Sequence, residues 1–222
     1  MNRVRAVSWR HPHWWIAASS AAAWCWLAAT WLLNRHQHGV DPFEWTAMLC
    51  AMMLPLVFGH VCFVATRSLW TRRQRAIASF VIGYVALWLL VGVALQWVTA
   101  TSPVMRLMHW PWIGAVTFGA AALWQWAPLK RRALAQCHRT APLAPRGWRA
   151  DRDCLRYGSS IGVRCIVACG AMMVACAAAG HGPIAMISVT AIAGAERYSS
   201  LATARVTSLL LVIVATVYAL AA

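Results

Sequence analysis

The 222-residue chain is 61% hydrophobic and carries 20 Lys and Arg against only five acidic residues, and its mean hydropathy is +0.59. A soluble domain of this size would need far more charged surface, so the composition predicts an all-α, polytopic transmembrane helical bundle. The short alternation typical of outer-membrane barrel strands is absent from the sequence, which argues against that class. The net charge of +15 lies in loops between apolar segments, which favours a membrane topology over nucleic-acid binding.

Seven apolar segments predict the spans, or six if the short sixth segment re-enters the membrane. They cover residues 14–33, 44–66, 76–98, 110–127, 162–180, 184–195 and 201–222. Residues 1–13 form a basic cytoplasmic tail, and residues 14–222 form one transmembrane helical domain with a cytoplasmic loop at about 129–160.

Counting positive charges predicts the orientation. A cytoplasmic N-terminus places 18 of the 20 Lys and Arg inside and leaves only Arg35 and Arg106 outside. Because cytoplasmic loops carry the excess of Lys and Arg, we expect a multi-pass protein of the bacterial inner membrane with this orientation.

A stripe of sulphur marks the fifth predicted span. At 100° per residue, Cys165, Cys169, Met172 and Cys176 fall within about 60° on one face of a helix. Thiolates and thioethers are soft ligands that suit Cu(I), and thiolates also suit Zn(II). The alternative is that Cys and Met here only fill space in an apolar helix.

The second predicted span supplies the facing ligands. Met48 and Met52 share one face, whereas Met53 and His60 lie together on another, and Pro55 is expected to kink the helix. A histidine inside a membrane span usually faces the bundle or a functional path. We therefore expect Met48, Met52 and His60 to complete a metal site with the fifth span.

Other soft side chains are placed in loops, where the solvated or interfacial interpretation is favoured for each. The topology predicts an external group of His36, His38, Met105, Met108, His109 and His181, and a cytoplasmic group of Cys137, His138 and Cys154. Glu196 closes the sixth segment, and we expect it to pair with Arg197 or Arg205.

Five pieces in order carry a family resemblance. They are AMMLP at 51–55, GYVALW at 83–88, WQWAPLK at 124–130 followed by Cys137, the Cys165 and Cys169 segment running into Met172 and Met173, and Gly180 through Met186 to Glu196. Together they resemble the bacterial family of predicted metal-binding integral membrane proteins that includes a tyrosinase-associated membrane copper chaperone. The resemblance covers residues 44–198 and implies a multi-spanning helical protein that binds metal and supplies copper to a copper-dependent enzyme.

The cysteine segment departs from the family pattern, which reads close to C-x-G-C-C-W-x-L-M. Cys165, Cys169 and Met173 match it, whereas Ala168 and Gly170 replace the middle cysteine and the tryptophan. The number of ligands therefore stays open, and Cys176 on the same helix face is the candidate for the missing sulphur.

These observations predict an integral membrane protein that handles Cu(I), with zinc as the second metal, and delivers it to a copper-dependent enzyme. Its predicted partners are that enzyme and the lipid bilayer. The alternative is a structural or assembly subunit without bound metal. We do not expect an enzyme, because the cysteines are spaced i, i+4 rather than C-x-x-C and no Ser/His/Asp set, phosphate-binding loop or carboxylate pair is evident.

Overall fold

The computed structural model describes residues 13–33, 42–101, 112–144, 146–180, 182–198 and 203–220. Most of these residues are helical, and none of them forms a β-strand. The predicted all-α class is confirmed, whereas the number of spans stays a prediction. The external group of predicted soft residues, namely His36, His38, Met105, Met108, His109 and His181, lies outside the described residues.

The first part of the chain forms α1 (Trp14–Leu32) and then a long helical rod over Pro42–Arg67. That rod changes its helical type along its length. It consists of α2 (Pro42–Met48), a π-helical turn (Leu49–Met53), a 3-10 turn (Pro55–Val57) and α3 (Phe58–Arg67).

The remaining helices follow in chain order after a short 3-10 turn (Trp70–Arg72). They are α4 (Arg73–Thr101), α5 (Ile113–Trp124), α6 (Pro128–Cys137), α7 (Gly147–Ala178), α8 (Pro183–Tyr198) and α9 (Ala204–Leu220). The α7 helix packs against α4, α5 and α6, and α5 also packs against α9. Thus α7 is the central helix of the bundle.

Three described helices are long and apolar enough to cross a membrane, and they are Pro42–Arg67, Trp70–Thr101 and Gly147–Ala178. Two shorter apolar helices are Ile113–Trp124 and Ala204–Leu220. The first predicted span does form a helix, α1, but its tryptophans and serines make it less hydropathic than the three long helices.

Much of the segment predicted as a cytoplasmic loop is helical. It contains α6, and α7 begins at Gly147, well before the predicted start of the fifth span at residue 162. Asp151 on this polar extension forms ion pairs with Arg72 and Arg75, the latter at 2.8 Å. Hydropathy detects only the apolar part of a helix. It does not detect a polar extension that ion pairs stabilise.

Glycines bring α4 and α7 into close contact. A Cβ atom at Gly158 would overlap the backbone carbonyl of Phe80, and one at Gly83 would overlap that of Leu155. Gly162, one turn further along α7, faces α4 as well. The spacing of Gly158 and Gly162 is the small-xxx-small pattern that lets membrane helices approach closely.

The rod is broken at Pro55, and α1 compensates for the break. Proline has no N–H to donate to the carbonyl of Ala51, which is its partner in a regular α-helix. That oxygen instead accepts hydrogen bonds from Ser20 Oγ and Trp24 Nε1, both at 3.0 Å. The side chains of a neighbouring helix therefore satisfy the backbone where the proline interrupts it.

A second carbonyl at the break is reached from α4. The N–H of Val57 bonds to Leu54 rather than to Met53, and the hydroxyl of Tyr84 lies 3.4 Å from the Met53 carbonyl oxygen. Tyr198 on α8 donates to the carbonyls of Pro55 and Leu56 in the same way, at 3.2 and 3.1 Å. The irregular segment is thereby fixed against three helices and faces α7.

Candidate functional site

Cys165 lies where α7 faces the broken part of the rod. Its Sγ atom is 4.0 Å from the Sδ atom of Met53, and Cys169 lies one helical turn further along α7. All three side chains are buried. We call Met53, Cys165 and Cys169 the sulphur cluster.

One distance in the sulphur cluster, that between Cys165 and Met53, is compatible with two ligands of the same metal ion. With metal–sulphur bonds of about 2.3 Å, as in zinc–thiolate sites, a trigonal arrangement places neighbouring sulphurs about 4.0 Å apart. The Cys165–Met53 separation of 4.0 Å matches this value. Two thiols and one thioether form a soft donor set.

The donor set differs from that of a common zinc site. Within the described residues, no group of three or more His, Cys, Asp or Glu side chains lies close enough together to hold a metal ion. Met53 places a thioether sulphur beside Cys165 that could serve as a further ligand. Zinc, which prefers four nitrogen, thiolate or carboxylate ligands, gains no support from this arrangement.

Tyr84 orients the cluster from α4. Its hydroxyl lies 3.2 Å from Cys165 Sγ and can donate to this sulphur or to the Met53 carbonyl. The Tyr84 side chain is fully buried. The backbone of Tyr84 approaches α7 closely at Gly162, and a Cβ atom added at Gly162 would lie 3.3 Å from the Tyr84 carbonyl oxygen. The close contact of α4 and α7 therefore sets the position of Cys165.

The π-helical turn decides which methionine reaches α7. Met48, Met52 and Met53 are all fully buried, but the sulphur that contacts Cys165 is that of Met53. A regular helical wheel puts Met53 on a different face from Met48 and Met52. The wider turn at Leu49–Met53 and the following 3-10 turn change the register of these faces.

Met172 and Cys176 continue the predicted stripe beyond the cluster. Gln125 at the end of α5 directs its amide nitrogen toward Met172 Sδ at 3.7 Å. Cys176 is fully buried, and Ala179, three residues later, lies near Tyr218 of α9, since both are within 4 Å of the position of a Cβ atom added at Gly114. Both residues lie on the predicted face of α7, and each has a different neighbouring helix from Cys165.

His60 contacts an aromatic group instead of the sulphur cluster. Its Nδ1 atom lies 2.6 Å from the hydroxyl of Tyr157. The ring centroid is 6.3 Å from that of Phe80, in a stacked arrangement. Through these contacts His60 joins the rod to α4 and α7.

Cys137 ends α6 next to this aromatic group. Burial raises the pKa of its thiol, while the positive charge of Arg197 opposes the change.

Lys130 and Glu196 form a buried ion pair between α6 and α8. Both carboxylate oxygens of Glu196 lie 3.0 Å from Lys130 Nζ, and the two side chains are 1% and 3% exposed. The sequence led us to expect Arg197 or Arg205 as the partner of Glu196, so the observed partner is different. Arginines adjacent in sequence are an obvious choice, whereas the contact with Lys130 depends on how α6 packs.

Sequence reasoning therefore missed four side chains around the stripe: Met53 as the contacting thioether, and Tyr84, Gln125 and Lys130 as polar neighbours. A signal for three of them was present in the strings GYVALW and WQWAPLK, which place a tyrosine, a glutamine and a lysine among apolar residues. The seven predicted ligands are all described, and only Cys165 and Cys169 among them belong to the sulphur cluster.

Comparison with known proteins gives one family match. A protein-family model described as PpoB2, copper chaperone, matches residues 43–221, which include the whole sulphur cluster and exclude α1. Searches against curated proteins and against solved structures gave no match. The match confirms the resemblance seen in the sequence, and the matched family is one of chaperones rather than enzymes.

Proposed function

Because the chain belongs to the PpoB2 copper chaperone family, we propose that it is an integral membrane protein that binds Cu(I) and delivers it to a copper-dependent enzyme. The observation that carries the proposal is the contact of Cys165 with Met53 beside Cys169. Three helices of sufficient length and apolarity support membrane integration.

The proposed site consists of the thiolates of Cys165 and Cys169 and the thioether of Met53. Cu(I) favours soft sulphur ligands and accepts a low coordination number, so three sulphurs suffice. Each thiol loses its proton when the metal binds. Met172, Cys176, Met48, Met52 and His60, the other ligands expected from the sequence, stay predictions.

Delivery requires that the metal can leave the site. One of the three ligands is a neutral thioether, which binds more weakly than a thiolate and gives an incoming ligand a position to replace. The partner would be a copper-dependent enzyme such as a tyrosinase. The proposed location is the bacterial inner membrane with a cytoplasmic N-terminus, as the charge distribution predicts.

Copper content tests the binding step. The protein is purified in detergent under reducing conditions, loaded with Cu(I), and analysed by elemental mass spectrometry beside Cys165→Ser/Cys169→Ser. We expect near-stoichiometric copper in the wild type and almost none in the double variant. Cys176→Ser serves as the matched control, because it removes a buried thiol from the same helix and leaves the sulphur cluster intact.

Transfer tests the delivery step. Copper-loaded protein is mixed with a copper-free tyrosinase, and the recovery of oxidase activity is followed against the same amount of the copper-treated double variant. Faster activation by the wild type supports delivery.

In the measurement of copper content, equal copper in the wild type and the double variant would leave a structural or assembly subunit as the better interpretation.

A further inference from the structure

A histidine and a cysteine meet where α1 begins. The Nδ1 atom of His13 lies 3.7 Å from the Sγ atom of Cys62 on α3. This His13–Cys62 pair is separate from the sulphur cluster, because Cys62 follows Met53 on the rod by nine residues, which is about 14 Å along the axis of a helix. Only Cys62 lies within the residues that the family model matches, so the pair is not part of the matched family pattern.

The imidazole of His13 is held beside the thiol. Its ring lies edge-on to that of Phe58, with ring centroids 4.4 Å apart and an interplanar angle of 77°, and Phe58 precedes Cys62 by one turn of α3. The carbonyl of His13 accepts a hydrogen bond of 3.0 Å from the N–H of Ile16 in the first turn of α1. The ring and the backbone of His13 are therefore both fixed.

The His13–Cys62 pair lies at an accessible end of the bundle. Both side chains are half-buried, and Gly59, three residues before Cys62, is exposed. Trp15 near the start of α1 donates a hydrogen bond of 3.1 Å to Gln74, which two arginines flank in the sequence. Because such charges mark the ends of membrane spans, we place the pair near the membrane edge, where a ligand from water can approach it.

The spacing of the pair suits two ligands of one metal ion. With bonds of about 2.3 Å to sulphur and about 2.1 Å to nitrogen, as in zinc sites, donors at an angle of about 120° lie about 3.8 Å apart. The distance of 3.7 Å between Sγ and Nδ1 is close to this value. A trigonal ion held in this way keeps one position for a ligand from outside the pair.

We infer that His13 and Cys62 form a second metal site, which binds Cu(I) through one imidazole and one thiolate. Both ligand types suit copper, and Cu(I) accepts a low coordination number. Zn(II) prefers four ligands, and among the described residues no three His, Cys, Asp or Glu side chains are grouped closely enough to hold a metal ion. Zn(II) would have to take at least two ligands from solvent.

The charge balance also favours a monovalent ion. When Cu(I) binds, a bond forms between the metal and Sγ of Cys62, and the thiol proton passes to solvent. One thiolate, one Cu(I) ion and a neutral imidazole give a complex without net charge, whereas the same ligands with Zn(II) give a net charge of +1. A neutral complex costs less at the edge of an apolar bundle.

The second site should hold copper more weakly than the sulphur cluster. It has one thiolate instead of two and no thioether, and its ligands are half-buried. Desalting should therefore empty it, so the copper content of Cys165→Ser/Cys169→Ser stays low as expected above. The inference rests on the proposed function for the identity of the metal, but its test does not need an intact sulphur cluster.

Protection of Cys62 from alkylation tests the second site. Detergent-purified Cys165→Ser/Cys169→Ser is titrated with Cu(I) under anaerobic reducing conditions and treated with N-ethylmaleimide, and peptide mass spectrometry follows the labelling of each cysteine. We expect Cu(I), or Ag(I) as a monovalent ion without redox chemistry, to slow the labelling of Cys62 by about tenfold or more, and Zn(II) to slow it by less than about threefold. Cys25, which is exposed on α1, is the internal control and should label at an unchanged rate.

Two variants separate a two-ligand site from binding at a single thiol. His13→Ala removes the imidazole, and His13→Gln replaces it with a polar side chain that is a poor ligand for Cu(I). Each is made in Cys165→Ser/Cys169→Ser, and we expect each to weaken the protection of Cys62 by about tenfold. His138→Ala is the matched control, because it removes an exposed histidine at the end of α6.

The outcomes distinguish this inference from the proposed function. Equal protection of Cys62 with and without His13, or equal protection of Cys62 and Cys25, would overturn the second site. Protection of Cys62 that depends on His13 but not on His138 supports the second site, whether or not the sulphur cluster holds copper. Absence of tightly bound copper from the chain with intact Cys165 and Cys169 would overturn the proposed function alone.

Discussion

Cys165 and Cys176 lie on one face of the same helix, yet their surroundings differ. Cys165 contacts the thioether of Met53 at 4.0 Å and the hydroxyl of Tyr84 at 3.2 Å, and Cys169 lies one turn further along the helix. For Cys176, the described part of the chain shows burial without any hydrogen bond to its sulphur. A sulphur stripe is thus only a row of candidates, and the facing helices determine which members can form a site.

The difference arises from the helices opposite α7. At Cys165 the neighbours are the rod, whose helix is irregular around Pro55, and α4, which contributes Tyr84. At Cys176 the nearby element is α9, whose Tyr218 stacks on Phe118 with ring centroids 5.6 Å apart. We expect experiments to separate a metal-binding end of α7 from a packing end.

Replacing Cys165 should produce the largest effect. Cys165→Ser removes a thiolate ligand, and we expect Cu(I) affinity to fall by more than about a hundredfold, beyond the usual effect of altering a residue outside the ligand sphere. Cys176→Ser should change the affinity by less than about threefold. Competition with a Cu(I) chelator measures both variants, and equal losses would contradict the division of α7 into two ends.

The glycine contact between α4 and α7 should matter next. An added Cβ at Gly158 overlaps the Phe80 carbonyl, so Gly158→Ala must separate the helices at a cost of about 1–3 kcal/mol. We expect a lower midpoint of thermal unfolding together with weaker Cu(I) binding. Gly119→Ala is the matched control, because nothing lies within 4 Å of its added Cβ.

The two adjacent methionines test the register of the rod. Met53→Leu keeps the volume close to that of the original side chain but removes the thioether, and we expect Cu(I) affinity to fall by about tenfold. Met52→Leu should leave the affinity unchanged, because Met53 is the residue that contacts Cys165. Isothermal titration of both variants under reducing conditions measures the difference in Cu(I) affinity. A larger loss in Met52→Leu than in Met53→Leu would support the faces that a regular helical wheel predicts.

The Tyr84 hydroxyl should give the smallest effect. Tyr84→Phe removes one hydrogen bond to Cys165, which is worth about 1 kcal/mol, so Cu(I) affinity should fall by about fivefold. Tyr218→Phe makes the same change near Cys176 and should have no effect on affinity. If both variants bind Cu(I) like the wild type, Tyr84 serves packing only.

The sequence was sufficient for the helical class, for the face of α7 and for the family. Hydropathy and a sulphur pattern over residues 165–176 are properties of single segments, and they can be seen without knowing what packs against them. The residues GSSIG at 158–162 also carry the small-xxx-small pattern of close helix packing.

The choice among ligands could not be predicted in the same way. Pro55 indicated a kink, but it did not predict the π turn before it. In that turn the carbonyls of Ala51 and Met53 accept hydrogen bonds from α1 and α4, and Met53 rather than Met52 contacts Cys165. His60 was predicted to face the metal site, and its contacts with Tyr157 and Phe80 arise from two other helices. Such contacts exist only once the bundle is packed.

X-ray absorption at the copper edge of the Cu(I)-loaded protein tests the central claim most directly, because it counts and identifies the atoms bound to the metal. We expect a first shell of sulphur only, with three atoms at about 2.3 Å, and the loss of one of them in Met53→Leu but not in Met52→Leu. A shell that contains nitrogen, or one that is unchanged in Met53→Leu, would contradict a site built from Cys165, Cys169 and Met53.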